Sequence, residues 1–343
     1  MPAHRTPTRR DFLRGLGVTS GGLFVAGTFG AWGGHPRLAA SAALGSADDT
    51  WSGQAAISHL NAIVGPAPIH IALANGYFAD AGLDLEPVSF PGGSDTIRGM
   101  TSGMPLGLPA TVSAITAYSK GMNDLRLVGG CFNGNQVLFI APADSPVEGV
   151  DDLAGRKIGV SSPTSITTYF AELVVRELGL EPGADVEIID IGGAPDAWTG
   201  ATQGVVDVAW SSPPLSSQLI AAGDAKLIFH TKDYVTDWTD QMLVATQPFI
   251  NDRADVVQGF VTAVGQACEL IRSKTDEAAE VYATAMDIDP EVAKAALEDP
   301  GLDSWDIEFD DAGIAANAEA ALAMGQVEGE IDVEAMIIRD FVG

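Results

Sequence analysis

The sequence predicts an α/β protein of two similar lobes, each a mostly parallel sheet covered by helices, with the second lobe inserted in the first and a helical C-terminal part. Three observations carry this. Short apolar runs alternate with helical patterns from residue 54 to residue 223. Gly92-Gly93 and Gly192-Gly193 each precede a helical pattern that closes on a glycine, Gly103 and Gly204. Two further strand-like runs, within 135–153 and 240–250, bracket the second set of elements.

Element by element, "QAAISHL" (54–60) reads as a strand, and "PIHIALANGYF" (68–78) as a helix closing near Gly76 and Gly82. "LDLEPVSF" (83–90) alternates as a half-buried strand does. "SDTIRGMTSG" (94–103) is a short helix, "LGLPA" (106–110) a buried strand, and "TVSAITAYSKG" (111–121) a helix ended by glycine. The order then repeats. "RKIGV" (156–160), "DVEIIDI" (185–191) and "VDVAW" (206–210) are strands. "SITTYFAELVVRELG" (165–179), "APDAWTGATQG" (194–204) and "PLSSQLIAAG" (214–223) are helices. Alternation of this kind makes βαβ units. If the two bracketing strands cross between lobes, residues 50–140 and 241–343 form the first lobe and 141–240 the second. Beyond 250 the pattern is helical, most clearly in "ADVVQGFVTAVGQACELI".

The first residues read as a targeting segment. Thr8, Arg9, Arg10, Phe12 and Leu13 stand as in a twin-arginine export signal, before a short, Gly-rich, weakly apolar run to Trp32. Ala40-Ser41-Ala42 offers a cleavage site, giving a signal over residues 1–42. A membrane anchor is the alternative reading, disfavoured by the weak hydropathy. Cleavage takes away five arginines and one acid and leaves 13 Lys and Arg against 45 Asp and Glu. The whole chain carries a formal net charge of −28, which repels phosphate backbones and anionic lipid and excludes a nucleic-acid binder. The two cysteines, Cys131 and Cys268, are expected as free, buried thiols.

"ALANGYFADAGLDLE" (72–86), the stretch Gly92 to Gly103, "DDLAGRKIGV" (151–160), Gly192-Gly193 and the stretch Gly204 to Pro213 together carry a resemblance. The chain resembles periplasmic substrate-binding proteins of the type II fold, in the branch serving nitrate, taurine, alkanesulfonates and thiamine-precursor pyrimidines. The match covers most of residues 55–250. The resemblance implies an exported, monomeric protein without cofactor, which captures a small solute between its lobes and hands it to an ABC permease with its ATPase. In one respect the chain departs from the family. An acidic residue usually follows the small-residue turn of the first lobe, where Met104-Pro105-Leu106 stand here; the matching turn keeps Asp207. A more apolar first-lobe pocket is expected from this.

Ligands of open α/β sheets sit beyond the carboxyl ends of strands, at helix N-termini that expose N–H groups. The run Ser161 to Thr168 is rich in hydroxyls and free of lysine and arginine. Ser162, Thr164 and Ser165 are therefore candidate ligand groups, with Thr164 or Ser165 as the cap; capping alone is the plainer role. Trp210 and Ser212 end the sister strand; Trp210 either stacks on a ligand or fills core. First-lobe candidates are Asn61, Ala67, Pro68, Gly93, Ser94 and Thr111, with Asn133 near the crossover and Leu106 beside the solute's apolar end.

Enzyme signatures are poor. His59, His70 and His230 lack metal-ligand spacing, and His59 and His70 read as structural. No nucleophile elbow and no phosphate-gripping loop occurs. No catalytic residue and no metal is expected, and "EDPGLDSWDIEFDD" (298–311) reads as a solvated acidic loop. Two rivals remain: a pyrimidine-precursor synthase on the same fold, which needs a cleft histidine and lysine absent from the expected cleft loops, and a sensing module for a membrane receptor.

Overall fold

The computed structural model describes residues 50–163 and 165–342. The expected signal segment lies outside the described residues, and so does Thr164. Among the described residues ten strands form two five-stranded sheets: β1 Trp51–Ser58, β2 Leu83–Phe90, β3 Leu106–Leu108, β4 Leu125–Phe132, β5 Leu138–Pro142, β6 Lys157–Val160, β7 Glu187–Asp190, β8 Val208–Ser211, β9 Ala225–His230 and β10 Gln241–Thr246. The first sheet runs β2-β1-β3-β10-β4 and the second β7-β6-β8-β5-β9. In the first, β1 pairs in parallel with β2 and β3, and in the second, β6 pairs in parallel with β7 and β8. The fourth and fifth strands are antiparallel additions. The two sheets thus share one spatial arrangement, with the fourth place held by the last strand of the first lobe and by the first strand of the second, and the second lobe is inserted in the first.

The expected glycine-ended helices are present. Gly93–Thr101 links β2 to β3, and Ala194–Thr202 links β7 to β8. Two edge strands, β4 and β9, escape the sequence pattern. β4 contains Gly129-Gly130. Here a Cβ on Gly130 would lie 2.4 Å from the Glu308 carbonyl and 2.7 Å from that of Asp306. The glycine permits close approach of another segment. The crossovers also differ from expectation. The bracketing strands do not themselves pass between lobes. The chain crosses in the irregular segments 133–137 and 231–240, so β5 belongs wholly to the second sheet and β10 to the first. A boundary between residues 140 and 141 falls inside β5.

The helix Ala254–Ser273 buries Val257, Phe260, Val261, Val264, Cys268 and Ile271 at helical spacing against the first sheet. Phe260 stacks on Phe78 with centroids 5.9 Å apart. Cys131 and Cys268 are free and buried in this core. Among the described residues no helix is long and apolar enough to cross a membrane.

The acidic loop is not simply solvated. Trp305 within it is fully buried and stacks on Phe132 at 4.6 Å. Its indole N–H donates to the Leu297 carbonyl at 2.9 Å. The Ile307 carbonyl accepts from Gly130 N–H at 2.7 Å, and Asp306 pairs with Arg272. One aromatic anchor turns a polar stretch into a strap across β4. The helix Asp311–Ala323 then lies between the lobes: Ile314 packs in a first-lobe cluster and Ala320 in the second-lobe core. Its buried Asn317 donates to the Thr239 carbonyl of the second crossover at 2.9 Å.

Candidate functional site

The parallel strands of both sheets send their C-terminal loops to one cavity of about 810 Å³ between the lobes. From the first lobe come His59, Ala62 and Ile63 after β1, Pro91 to Asp95 after β2, and Ala110, Val112 and Ser113 after β3. From the second come Ser161, Ser162, Ser165 and Thr167 after β6, Gly192 to Pro195 after β7, and Trp210 and Ser212 at the end of β8. The crossovers supply a floor of Gln136, Val137, Asp240 and Gln241; the turn Met324-Gly325-Gln326 closes another side. This is the ligand position general to open α/β sheets, built twice and face to face.

The hydroxyl run after β6 is a pre-assembled network. Ser165 caps the helix Ile166–Glu177: its Oγ accepts from Thr168 N–H at 3.3 Å and donates to the Ser162 carbonyl at 2.7 Å. Ser161 N–H donates to Thr167 Oγ1 at 2.9 Å, and Thr168 Oγ1 donates to the Ser162 carbonyl at 2.6 Å. These groups hold each other first, so a ligand meets an ordered wall, not loose side chains. Ser165→Ala removes the cap, and a stability loss of about 1 kcal/mol is expected by chemical denaturation. Trp210 fills core and also faces the cavity, with its indole N–H on the Gly192 carbonyl at 2.9 Å.

The floor carries the densest polar contacts. Gln136 Oε1 accepts from Gly65 N–H of the first lobe at 3.1 Å and from Ser212 Oγ of the second at 3.1 Å. Its Nε2 donates to Asp240 Oδ2 across the two crossovers. Trp238 Nε1 lies 3.5 Å from Asp240 Oδ1. Burial pushes the Asp240 carboxyl up to about 6, against these two donors, which act to lower it. Gln241 is buried, with Nε2 3.4 Å from the Ser58 carbonyl and Oε1 without a partner.

Of the residues picked from sequence, Gly93, Ser94, Ser162, Ser165, Trp210 and Ser212 line the cavity. The other described ones lie elsewhere. Asn61 is exposed on the loop after β1, whose inward contacts are made by His59, Ala62 and Ile63. Ala67 and Pro68 start the helix Ala67–Ala74 and are buried in the first-lobe core, since the loop has already passed the cleft. Leu106 is likewise core. Thr111 is fully buried behind Asp240, its N–H on the Asp240 carbonyl at 2.9 Å. Asn133 turns outward, donating to the Glu308 carbonyl of the strap at 2.8 Å. Asp207 is no guide to the pocket: its Oδ2 accepts from Lys157 N–H at 2.9 Å, at the opposite end of the sheet.

Sequence reasoning missed the floor and two titratable groups. His59 lines the cavity at a left-handed φ of 52°, and burial lowers its pKa, so it is neutral at pH 7. Lys120 lines the cavity from an exposed position at the end of the helix Thr111–Ser119. The cleft therefore does hold a histidine and a lysine, contrary to expectation. His70, by contrast, is structural, its Nε2 2.9 Å from the Leu60 carbonyl. Among the described residues no cluster of three or more His, Cys, Asp or Glu is placed to hold a metal ion.

The family model described as NMT1/THI5 like matches residues 65–278, which includes both crossovers and most of the cleft. The chain belongs to the NMT1/THI5-like family. A formylaminopyrimidine-binding protein of Halalkalibacterium halodurans is 26% identical over 235 residues, 64% of this chain and 66% of that protein. The chain thus spans a little under two thirds of that relative's length. Among solved structures, the periplasmic aliphatic sulphonate binding protein SsuA of Escherichia coli is 20% identical, with a TM-score of 0.69 over 84% of this chain and 92% of that one. The desulfurization enzyme DSZB is 18% identical, with a TM-score of 0.63 over 84% of this chain and 97% of that one. The NMT1/THI5-like chain therefore shares the two-lobed periplasmic binding protein fold with both a binder and an enzyme.

Proposed function

We propose that this NMT1/THI5-like protein is an exported solute-binding protein. It captures a small organic solute between its lobes and delivers it, as a monomer without cofactor, to an ABC permease and its ATPase. The observation that carries this is the cavity of about 810 Å³ bounded by the C-terminal loops of both sheets and floored by the two crossovers. That volume suits a small organic molecule, and a solute touching both lobes binds the closed form better than the open one, which drives closure. The binding proteins among its relatives support the reading, and the candidate solutes are sulfonates, taurine, nitrate and pyrimidines. The lobes pivot about segments 133–137 and 231–240. A thermal-shift screen of these solutes tests it. A true ligand at about 100 times its dissociation constant stabilises by about 2.7 kcal/mol; a screen in which none shifts the midpoint rejects these solute classes.

The N-terminal segment fits export through the twin-arginine route, which places the protein in the periplasm or on the outer membrane face. Replacing Arg9 and Arg10 together by lysine is expected to leave the precursor inside the cell, scored by fractionation. Normal export of that double variant points instead to the general secretory route.

His59 and Lys120 in the cleft favour one second reading, an enzyme on the same fold. Lys120 is exposed at the cavity edge, which supplies none of the burial that activates a catalytic amine. Mass spectrometry of each solute recovered from the protein distinguishes the two: unchanged solute means binding, altered solute means catalysis.

A further inference from the structure

The floor of the cleft presents acceptors. Asp240 uses Oδ2 on Gln136 Nε2, and its Oδ1 has only Trp238 Nε1 at 3.5 Å, the limit of a hydrogen bond. A carboxylate accepts about four hydrogen bonds, so roughly half of its capacity is left over. Among the described residues no lysine or arginine pairs with Asp240. Beside it, buried Gln241 Oε1 lacks a donor. The charged groups facing the same cavity are few. Asp95 is paired with Arg98, Lys120 stands at the edge, and His59 is kept neutral by burial. No arginine lines the cavity among the described residues. An anion at the floor would meet a half-buried carboxylate with no guanidinium to offset it, whereas N–H donors would complete it.

We propose that Asp240 is the specificity-determining residue of the cleft, accepting hydrogen bonds from the paired N–H donors of a neutral or cationic nitrogen base and turning away sulfonate and nitrate. This rests on the solute-binding reading above and selects among its solutes. Gln136 is a positioning residue, because it orients the Asp240 carboxylate while joining Gly65 of one lobe to Ser212 of the other.

The test is calorimetric titration of the parent protein and Asp240→Asn with two nitrogen bases, 4-aminopyrimidine and benzamidine, and two anions, ethanesulfonate and nitrate. The parent is expected to bind at least one base. Asp240→Asn is expected to weaken that binding about 10- to 100-fold, the range for losing a hydrogen bond to a charged group. As pH falls from 7 to 5 the parent should lose affinity relative to the variant, because protonation costs Asp240 acceptor capacity. That comparison is made with benzamidine, whose charge is constant over this range, and the His59 and Asp95 side chains are present in both proteins. Binding of an anion but no base overturns the proposal and leaves the solute-binding reading standing. Equal affinity of parent and variant for a base overturns the role of Asp240 alone. Failure of all four probes at millimolar concentration overturns the proposal, and with it the solute classes from which it selects.

Discussion

Trp305→Ala is expected to cost about 3–5 kcal/mol, the usual penalty for truncating a fully buried tryptophan. That is a large share of the roughly 5–15 kcal/mol that holds a typical domain folded. The indole is 0% exposed, stacked on Phe132 at 4.6 Å, and hydrogen-bonded to the Leu297 carbonyl. Truncation removes the stacking, opens a cavity and leaves that carbonyl unpaired. It also frees the strap that accepts from Gly130 and, through the Ser304 carbonyl, from Asn133 N–H at 2.7 Å. Asn133 opens the first crossover, so the loss reaches that segment. Trp305→Phe retains an aromatic ring on Phe132 and gives up the N–H bond, so its cost should be smaller, about 1–3 kcal/mol. Urea denaturation with an unchanged m-value would establish both figures. A loss for Trp305→Ala under about 1 kcal/mol would mean that the strap is an ornament to the first lobe.

The strap and the cleft floor show what kind of information the sequence displays. β2 was legible to the residue at Leu83–Phe90, because alternation over a half-buried strand is a periodic signal. The capped turn at Ser165 was legible because a run of hydroxyls between a strand and a helix has one local use. Gln136, Asp240 and Gln241 were not, since they sit in or beside irregular crossovers, where no period marks which side chain turns inward. Trp305 was hidden by its neighbours: the acids around it dominate the composition of the loop, yet one buried ring decides its placement. Ala67 and Pro68 illustrate the opposite error. They follow a cleft loop in sequence, but position along the chain fixes a residue's neighbourhood only to within a turn, and the loop reaches the cavity through His59 and Ile63 instead.

Asp240→Asn should make the empty protein more stable at pH 7, by at most about 3 kcal/mol. The carboxyl is raised from 3.8 to about 6 by burial, and each tenfold change in proton affinity corresponds to about 1.4 kcal/mol. The sign follows from where the proton sits. Below pH 4 the group is protonated in both folded and unfolded chains, and burial costs nothing extra. Between pH 4 and 6 the unfolded chain releases its proton and the folded chain holds it, so the folded state loses ground as pH rises. Above 6 the penalty is complete. Asparagine bears none of it, and its amide oxygen still accepts from Gln136. The stability gap between variant and parent should therefore be near zero at pH 4 and open to its full size by pH 7, read from urea midpoints across that range. A gap that is constant with pH, or one favouring the parent at pH 7, would show that Asp240 is not a charge held at a cost. The expected pairing, higher stability with weaker solute binding, is the usual signature of a residue kept for its ligand and not for the fold. A carboxylate with two donors and no cation is a poor structural element, and on the proposed reading a ligand that brings further N–H donors is what would stabilise it.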